Sequence, residues 1–140
     1  MKHYAGDIAQ RKKTDNSPVT AADEEAEALI LRRLGEVAPV IPVVAEESAA
    51  AGRIPDIGNS PFFLVDPLDG TKEFLNRNGE FTVNIGLVEQ GVPVAGVVFA
   101  PAIGRMFWGA DGEAYEAGTN GQRQIWTRLA PDAGLTAIAS

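Results

Sequence analysis

The sequence predicts an α+β fold whose larger part is a largely antiparallel β-meander, and three observations carry that expectation. Fifteen glycines and nine prolines in 140 residues set many turns, so sheet and loops should outweigh helix. One segment, residues 21–34, repeats its apolar positions at helical spacing. From residue 81 onward, short apolar runs alternate with turn dipeptides.

Taken in order, residues 1–19 are polar and irregular, and Arg11-Lys12-Lys13 reads as a solvated loop. Thr20 reads as a helix N-cap, with Asp23 three residues on in the place of the capping-box acid. Ala22, Ala26, Leu29, Ile30 and Leu34 then form one apolar face. Glu24, Glu25 and Glu27 sit toward the positive end of the helix dipole and Arg32 and Arg33 toward the negative end. Gly35 supplies the stop. Residues 40–45 read as a short strand, placed at a sheet edge by Pro42. It ends in Glu46-Glu47-Ser48, and a loop follows to Pro61. Residues 62–65 form a second strand that runs into Asp66-Pro67-Leu68-Asp69-Gly70-Thr71, and residues 72–76 suit a short helical turn. Residues 81–89 and 92–100 pair about Gln90-Gly91, and residues 105–109 and 113–116 about Asp111-Gly112. Asn120-Gly121 is the strongest hairpin dipeptide of the chain. Residues 136–139 begin another strand.

Composition narrows the chemistry. The absence of cysteine removes disulfides, zinc–thiolate sites and thiol nucleophiles. A single histidine, His3, near the chain start, removes Ser-His triads and multi-histidine metal sites. A net charge of −7 without an aromatic-interleaved basic patch argues against a nucleic-acid polymer as partner. No stretch has the length of a transmembrane segment, and the first residues lack the apolar core of a secretory signal, so a cytoplasmic protein is expected.

Two apolar strands run into carboxylates, at Glu46-Glu47 and at Asp66 and Asp69. Pro67 restrains the backbone between the two aspartates and Gly70 permits a sharp turn, so both acids can come to one side. Like charges so placed need a counter-ion or a proton. Oxygen donors alone suit Mg²⁺, with Mn²⁺ as its substitute. If Thr71 opens a helical turn, the N–H groups of Gly70, Thr71 and Lys72 form an anion site, and cations beside it describe phosphoryl transfer. The Thr71 hydroxyl can orient a water, given an acceptor for its own proton. Taken alone, Asp-Pro-x-Asp-Gly is ordinary turn chemistry, and Glu46-Glu47 alone a solvated strand end. The spacing does not suit an EF-hand, and there is no Walker glycine loop or dinucleotide fingerprint.

Ser17-Pro18-Val19-Thr20-Ala21-Ala22-Asp23, Glu46-Glu47-Ser48 and Asp66-Pro67-Leu68-Asp69-Gly70-Thr71-Lys72-Glu73-Phe74, in that order and spacing, resemble the N-terminal half of the inositol monophosphatase superfamily. Lys72-Glu73-Phe74 and Asn78-Gly79-Glu80-Phe81-Thr82-Val83-Asn84 are most similar to its 3'(2'),5'-bisphosphate nucleotidase branch. The resemblance implies a layered α/β sandwich of the sugar-phosphatase type and a reaction that uses two or three Mg²⁺ ions to hydrolyse a small-molecule phosphate ester. The expected substrate is the 3'-phosphate of adenosine 3',5'-bisphosphate or its sulfated form. It implies metal ligation by Glu46, Asp66, the Leu68 carbonyl and Asp69, water activation by Thr71 with Asp23, and phosphate binding by Gly70, Thr71 and Lys72. A homodimer is the assembly the family suggests.

Family members run to roughly twice this length, beyond a single small domain. Neither Trp108 nor Trp126 is followed by Asp, as in the family's later metal-ligand motif. Residues 1–140 are therefore expected to be the N-terminal α+β half of a phosphatase, without its C-terminal half and inactive alone. Inositol or sugar phosphates are the alternative substrates, and a non-catalytic metal-binding or assembly fragment is the alternative of another class.

Overall fold

A computed structural model describes the backbone at residues 10–12 and 18–127, with side chains from residue 21 to residue 127. The expected strand at residues 136–139, and His3, lie outside the described residues. Strands β1 (Gln10–Lys12) and β2 (Pro18–Thr20) pair antiparallel, so part of the stretch expected as loop is a short ribbon. Helix α1 (Ala21–Val37) begins directly after Thr20. Gly35 lies inside it rather than ending it, and the Ala38 N–H still donates to the Leu34 carbonyl at 2.8 Å. A glycine costs an exposed helix only about 1 kcal/mol, too little to stop one already packed. The inward face also differs from the expected stripe: Asp23 and Glu27 are buried, whereas Leu29 is half exposed.

After α1 come β3 (Val43–Ala45), the five-residue helix α2 (Glu46–Ala50), β4 (Phe62–Asp69) and α3 (Thr71–Asn76). The meander follows as β5 (Thr82–Glu89), β6 (Val92–Ala100), β7 (Arg105–Ala110), β8 (Glu113–Gly118) and β9 (Gly121–Ile125). These seven strands form one sheet in the order β3-β4-β5-β6-β7-β8-β9. β3 holds the edge position that Pro42 predicts and is parallel to β4; every other pairing is antiparallel. Gln90-Gly91 and Asp111-Gly112 both take positive φ, as the two-residue turns joining β5 to β6 and β7 to β8 require. Asn120-Gly121 is shifted by one: Gly118 lies opposite Gly121, the turn is Thr119-Asn120, and Gly121 opens β9 with φ 92°. Trp108 and Tyr115, opposite each other on β7 and β8, stack with centroids 5.6 Å apart.

Two features brace this frame. At the site end, Leu68, Phe74 and Phe81 form a buried cluster with Ala22 and Ala102 against it, and the two phenylalanine rings meet edge to face at 5.1 Å. At the far end, buried Glu116 on β8 accepts from Arg105 Nε on β7 at 2.7 Å and from Arg123 Nε on β9 at 2.9 Å. The hydrogen bond from Arg105, then that from Arg123, holds the Glu116 carboxyl below its ordinary 4.5. Because the folded value is the lower one, this clasp stabilises fully above the unfolded value and is lost as pH falls through the folded one. Glu116→Gln should therefore lower the urea midpoint at about pH 7, and the deficit relative to the unsubstituted chain should shrink at about pH 3. A deficit independent of pH would contradict the clasp.

Candidate functional site

The site lies where β3 and β4 end beside α1. In a regular strand Asp66 and Asp69, three residues apart, would point to opposite faces. The β4–β5 pairing resolves this. Asp66 lies opposite Asn84 and Asp69 opposite Thr82, so three steps on β4 match two on β5 and a bulge absorbs the extra residue. The sequence suggested a turn here; the structure has a bulged strand that returns both aspartates to one side. Pro67 and the Leu68 side chain are buried, which anchors the bulge to the core. Gly70 follows in the left-handed conformation, with φ 92°. A Cβ there would stand 2.9 Å from the Glu80 carbonyl oxygen, so only glycine fits.

Gly70 opens α3, and its carbonyl accepts from the Phe74 N–H at 2.9 Å. The Thr71 hydroxyl lies 3.3 Å from Asp23 Oδ1 and 3.3 Å from the Leu68 carbonyl oxygen. One proton thus has two acceptors. Asp23 is fully buried on α1, so the acid that reads as a helix cap in sequence faces Thr71 across the fold. Lys72, on the next residue of α3, is exposed.

Glu46 is the first residue of α2, immediately after β3. The structure brings it against Asp66, with which it shares a hydrogen bond, while Asp69 adds its charge from further along the bulge. Burial foremost, then the Glu46 charge and hydrogen bond, then the Asp69 charge push the Asp66 carboxyl up to about 7, against a smaller opposing pull from the Leu68 N–H. That N–H donates to Asp66 Oδ1 at 3.1 Å.

Two residues that sequence reasoning did not assign to the site belong to its frame. Glu27, buried on α1, accepts from the Glu47 N–H at 2.7 Å, the Ser48 N–H at 2.9 Å and the Ser48 hydroxyl at 2.6 Å. Asn84 Nδ2 donates to Asp69 Oδ2 at 3.1 Å, and Asn84 Oδ1 is a buried atom without a hydrogen-bond partner. Glu27 had one legible signal: it stands four residues after Asp23, interrupting an otherwise apolar face. For Asn84 the sequence held only its place at the end of the family-like stretch 78–84, and strand register alone places it opposite Asp66.

Among the described residues, no three His, Cys, Asp or Glu side chains converge closely enough to hold an ion by themselves. The donors meet in pairs, Glu46 with Asp66 and Asp66 with Asp69, and the Leu68 carbonyl beside Thr71 is a further oxygen. The chemistry of this set fits a hard divalent cation: every donor is oxygen, and burial together with the neighbouring acids raises Asp66 to a value that a bound cation would relieve.

Comparison with known proteins gives the chain a family. The model of the inositol monophosphatase family matches residues 1–132. Over 117 residues the chain is 50% identical to the 3'(2'),5'-bisphosphate nucleotidase CysQ of Salmonella typhimurium, covering 84% of this chain and 47% of that protein. Its CysQ counterpart in Escherichia coli K12 is 46% identical over 116 residues, covering 83% of this chain and 47% of that protein. The chain thus spans about half the length of the curated relatives it matches. Among solved structures, CysQ from Bacteroides thetaiotaomicron superposes with a TM-score of 0.65 at 36% identity, over 85% of this chain and 49% of that one. The Thermotoga maritima IMPase gives 0.73 at 30% identity, over 84% and 45%. With the family model matching residues 1–132, the chain belongs to the inositol monophosphatase family.

Proposed function

We propose that these residues form the metal- and phosphate-binding part of a Mg²⁺-dependent phosphate-monoester hydrolase. Its substrate in this reading is the 3'-phosphate of adenosine 3',5'-bisphosphate or of its 5'-sulfated form. The observation that carries the reading is the crowding of Glu46, Asp66 and Asp69 beside a threonine hydroxyl aimed at a buried aspartate. The two CysQ relatives, whose names state a bisphosphate nucleotidase, support this choice of substrate.

In this reading Glu46, Asp66, Asp69 and the Leu68 carbonyl hold the cations. Bound Mg²⁺ supplies Lewis acidity toward the phosphate and lowers the pKa of water. The rest is the work of the chain. Gly70 and Thr71, at the start of α3, offer N–H groups that helix geometry leaves without intrahelical partners, and these bind the phosphate oxygens. Thr71 Oγ1 accepts a hydrogen bond from the attacking water and passes its own proton toward Asp23 Oδ1, which fixes the direction of attack. In the same reading Lys72, exposed on α3, attracts the second anionic group of the substrate. A cytoplasmic location and a homodimer belong to the same reading.

The span of half the relatives' length favours a second reading, in which these residues bind metal but turn over no ester by themselves. Calorimetric titration of the 140-residue chain with Mg²⁺, beside an assay for phosphate release, separates the two: binding without turnover supports the second, and turnover the first. Adenosine 3',5'-bisphosphate should be preferred to inositol 1-phosphate, and the reverse order would overturn the substrate assignment.

Metal binding must displace the proton that Asp66 retains up to about 7. The sign is fixed by the raised value: in the metal-free chain this group favours folding below 3.8, and that contribution is lost as pH rises through about 7. Mg²⁺ affinity should therefore climb with pH up to about 7 and then level off. Calorimetry in two buffers of different ionisation heat should find about one proton released per chain near pH 5.5 and almost none near pH 8.5. Equal release at both would remove Asp66 from the metal site.

The assigned roles also order the substitutions. Asp66→Asn should abolish measurable Mg²⁺ binding. Thr71→Ala should leave the affinity within about threefold while any turnover falls by roughly a hundredfold or more. A fully active Thr71→Ala variant would exclude its part in orienting water.

A further inference from the structure

Helix α1 carries two buried carboxylates one turn apart, and each reaches a different half of the site. Asp23 meets Thr71, which follows β4, and Glu27 meets the start of α2, which follows β3. Four residues of helix separate their origins by about 6 Å along the axis. β3 and β4 pair directly through only three residues each, Val43–Ala45 with Phe63–Val65, before Glu46 opens α2 and Asp66 continues β4.

α2 is five residues long and opens on Ala45, which has no side-chain cap. A cap would normally accept from the second and third helical N–H groups. Those are the groups of Glu47 and Ser48, and Glu27 accepts both from another helix, one on each carboxylate oxygen. The Ser48 hydroxyl adds a third bond, to the oxygen that serves its own N–H. All three contacts are donors facing an acceptor, which is why a carboxylate 4% exposed is tolerated here.

We propose that Glu27 is a positioning residue for the metal-binding acids: by capping α2 from α1, it holds Glu46 in the place where it meets Asp66. Asp23 and Glu27 then make α1 a rigid gauge between the Glu46 arm and the Thr71 arm. The assignment rests on the metal-binding reading given above and adds a residue to it. Glutamine cannot replace Glu27, because its amide would turn an N–H₂ group toward one of the backbone donors.

The test is titration of the folded 140-residue chain with Mn²⁺ at about pH 8, reading free metal by electron paramagnetic resonance, alongside thermal melts without metal. Glu27→Gln should weaken Mn²⁺ binding by about tenfold or more, the scale of losing a group that orients a ligand. Ser48→Ala, which leaves both backbone bonds in place, should weaken it about two- to threefold and carries the test if Glu27→Gln does not fold. Glu36→Gln, exposed near the far end of the same helix, should bind as the unsubstituted chain does. A residue that acts through Glu46 has no effect once Glu46 is gone, so Glu27→Gln should cost nothing further in a Glu46→Gln background. Additive losses there, or unchanged affinity in a folded Glu27→Gln (or in Ser48→Ala, where that variant must stand in), would overturn the role of Glu27. Failure of the unsubstituted chain to bind Mn²⁺ would overturn the metal-binding reading itself, and the positioning role with it.

Discussion

The burial of Asp66 beside Glu46 and Asp69 is the constraint that the rest of this structure must contain. Unit charges at contact distance in a half-buried setting oppose one another by several kcal/mol, as Coulomb's law at intermediate dielectric gives. A chain left to itself would splay them apart. Here the response is chemical instead of geometric: burial foremost, then the charge and hydrogen bond of Glu46, then the charge of Asp69, let Asp66 hold its proton up to about 7. The acids stay together because their backbones have little freedom to move. Pro67 and Leu68 are buried, Gly70 has no space for a side chain, and the aromatic pair Phe74–Phe81 closes the cluster beneath. The stability of the frame is what sustains an arrangement that is locally unfavourable.

That division of labour explains which parts were legible in the sequence. The meander was, because each hairpin is local: Gln90-Gly91 and Asp111-Gly112 carry their turn conformation in adjacent residues, and strand alternation needs no partner to be seen. Both ends of the Asp66–Thr71 segment were legible as well, since proline and glycine restrict the backbone wherever they occur. The errors are non-local. Gly35 reads as a helix stop by propensity, yet the helix continues to Val37. Nothing between residues 46 and 50 announces a helix, because its cap comes from Glu27, some twenty positions earlier. Leu29 obeys the helical period but is half exposed, as the inward positions of α1 serve the site, with Asp23 and Glu27 there in place of aliphatic side chains.

The candidate site shows the same boundary more sharply. The identities of Glu46, Asp66 and Asp69 suffice to suggest hard-metal chemistry, because oxygen donors without histidine or cysteine leave few options. Their mutual placement does not follow from identity. An odd spacing on a strand separates two side chains onto opposite faces, and one extra residue in the ladder brings them back. Register of this kind is set by β5, whose Asn84 lies opposite Asp66 while its side chain holds Asp69. No window of sequence around residues 66–69 contains that information.

Thr71 illustrates why such placement matters to chemistry. A hydroxyl on an exposed helix end would exchange its proton with solvent and point in no fixed direction. Here two acceptors, each 3.3 Å away, compete for one proton, and they differ in kind. The Leu68 carbonyl is a neutral dipole tied to the bulge, and Asp23 is a carboxyl side chain fixed by burial on α1. The single hydroxyl proton serves one of them at a time, and an oxygen lone pair of Thr71 is left to receive a donor. In the metal-binding reading, a cation at the Leu68 carbonyl would weaken that acceptor and leave Asp23 as the partner of the hydroxyl, with no movement of the backbone required.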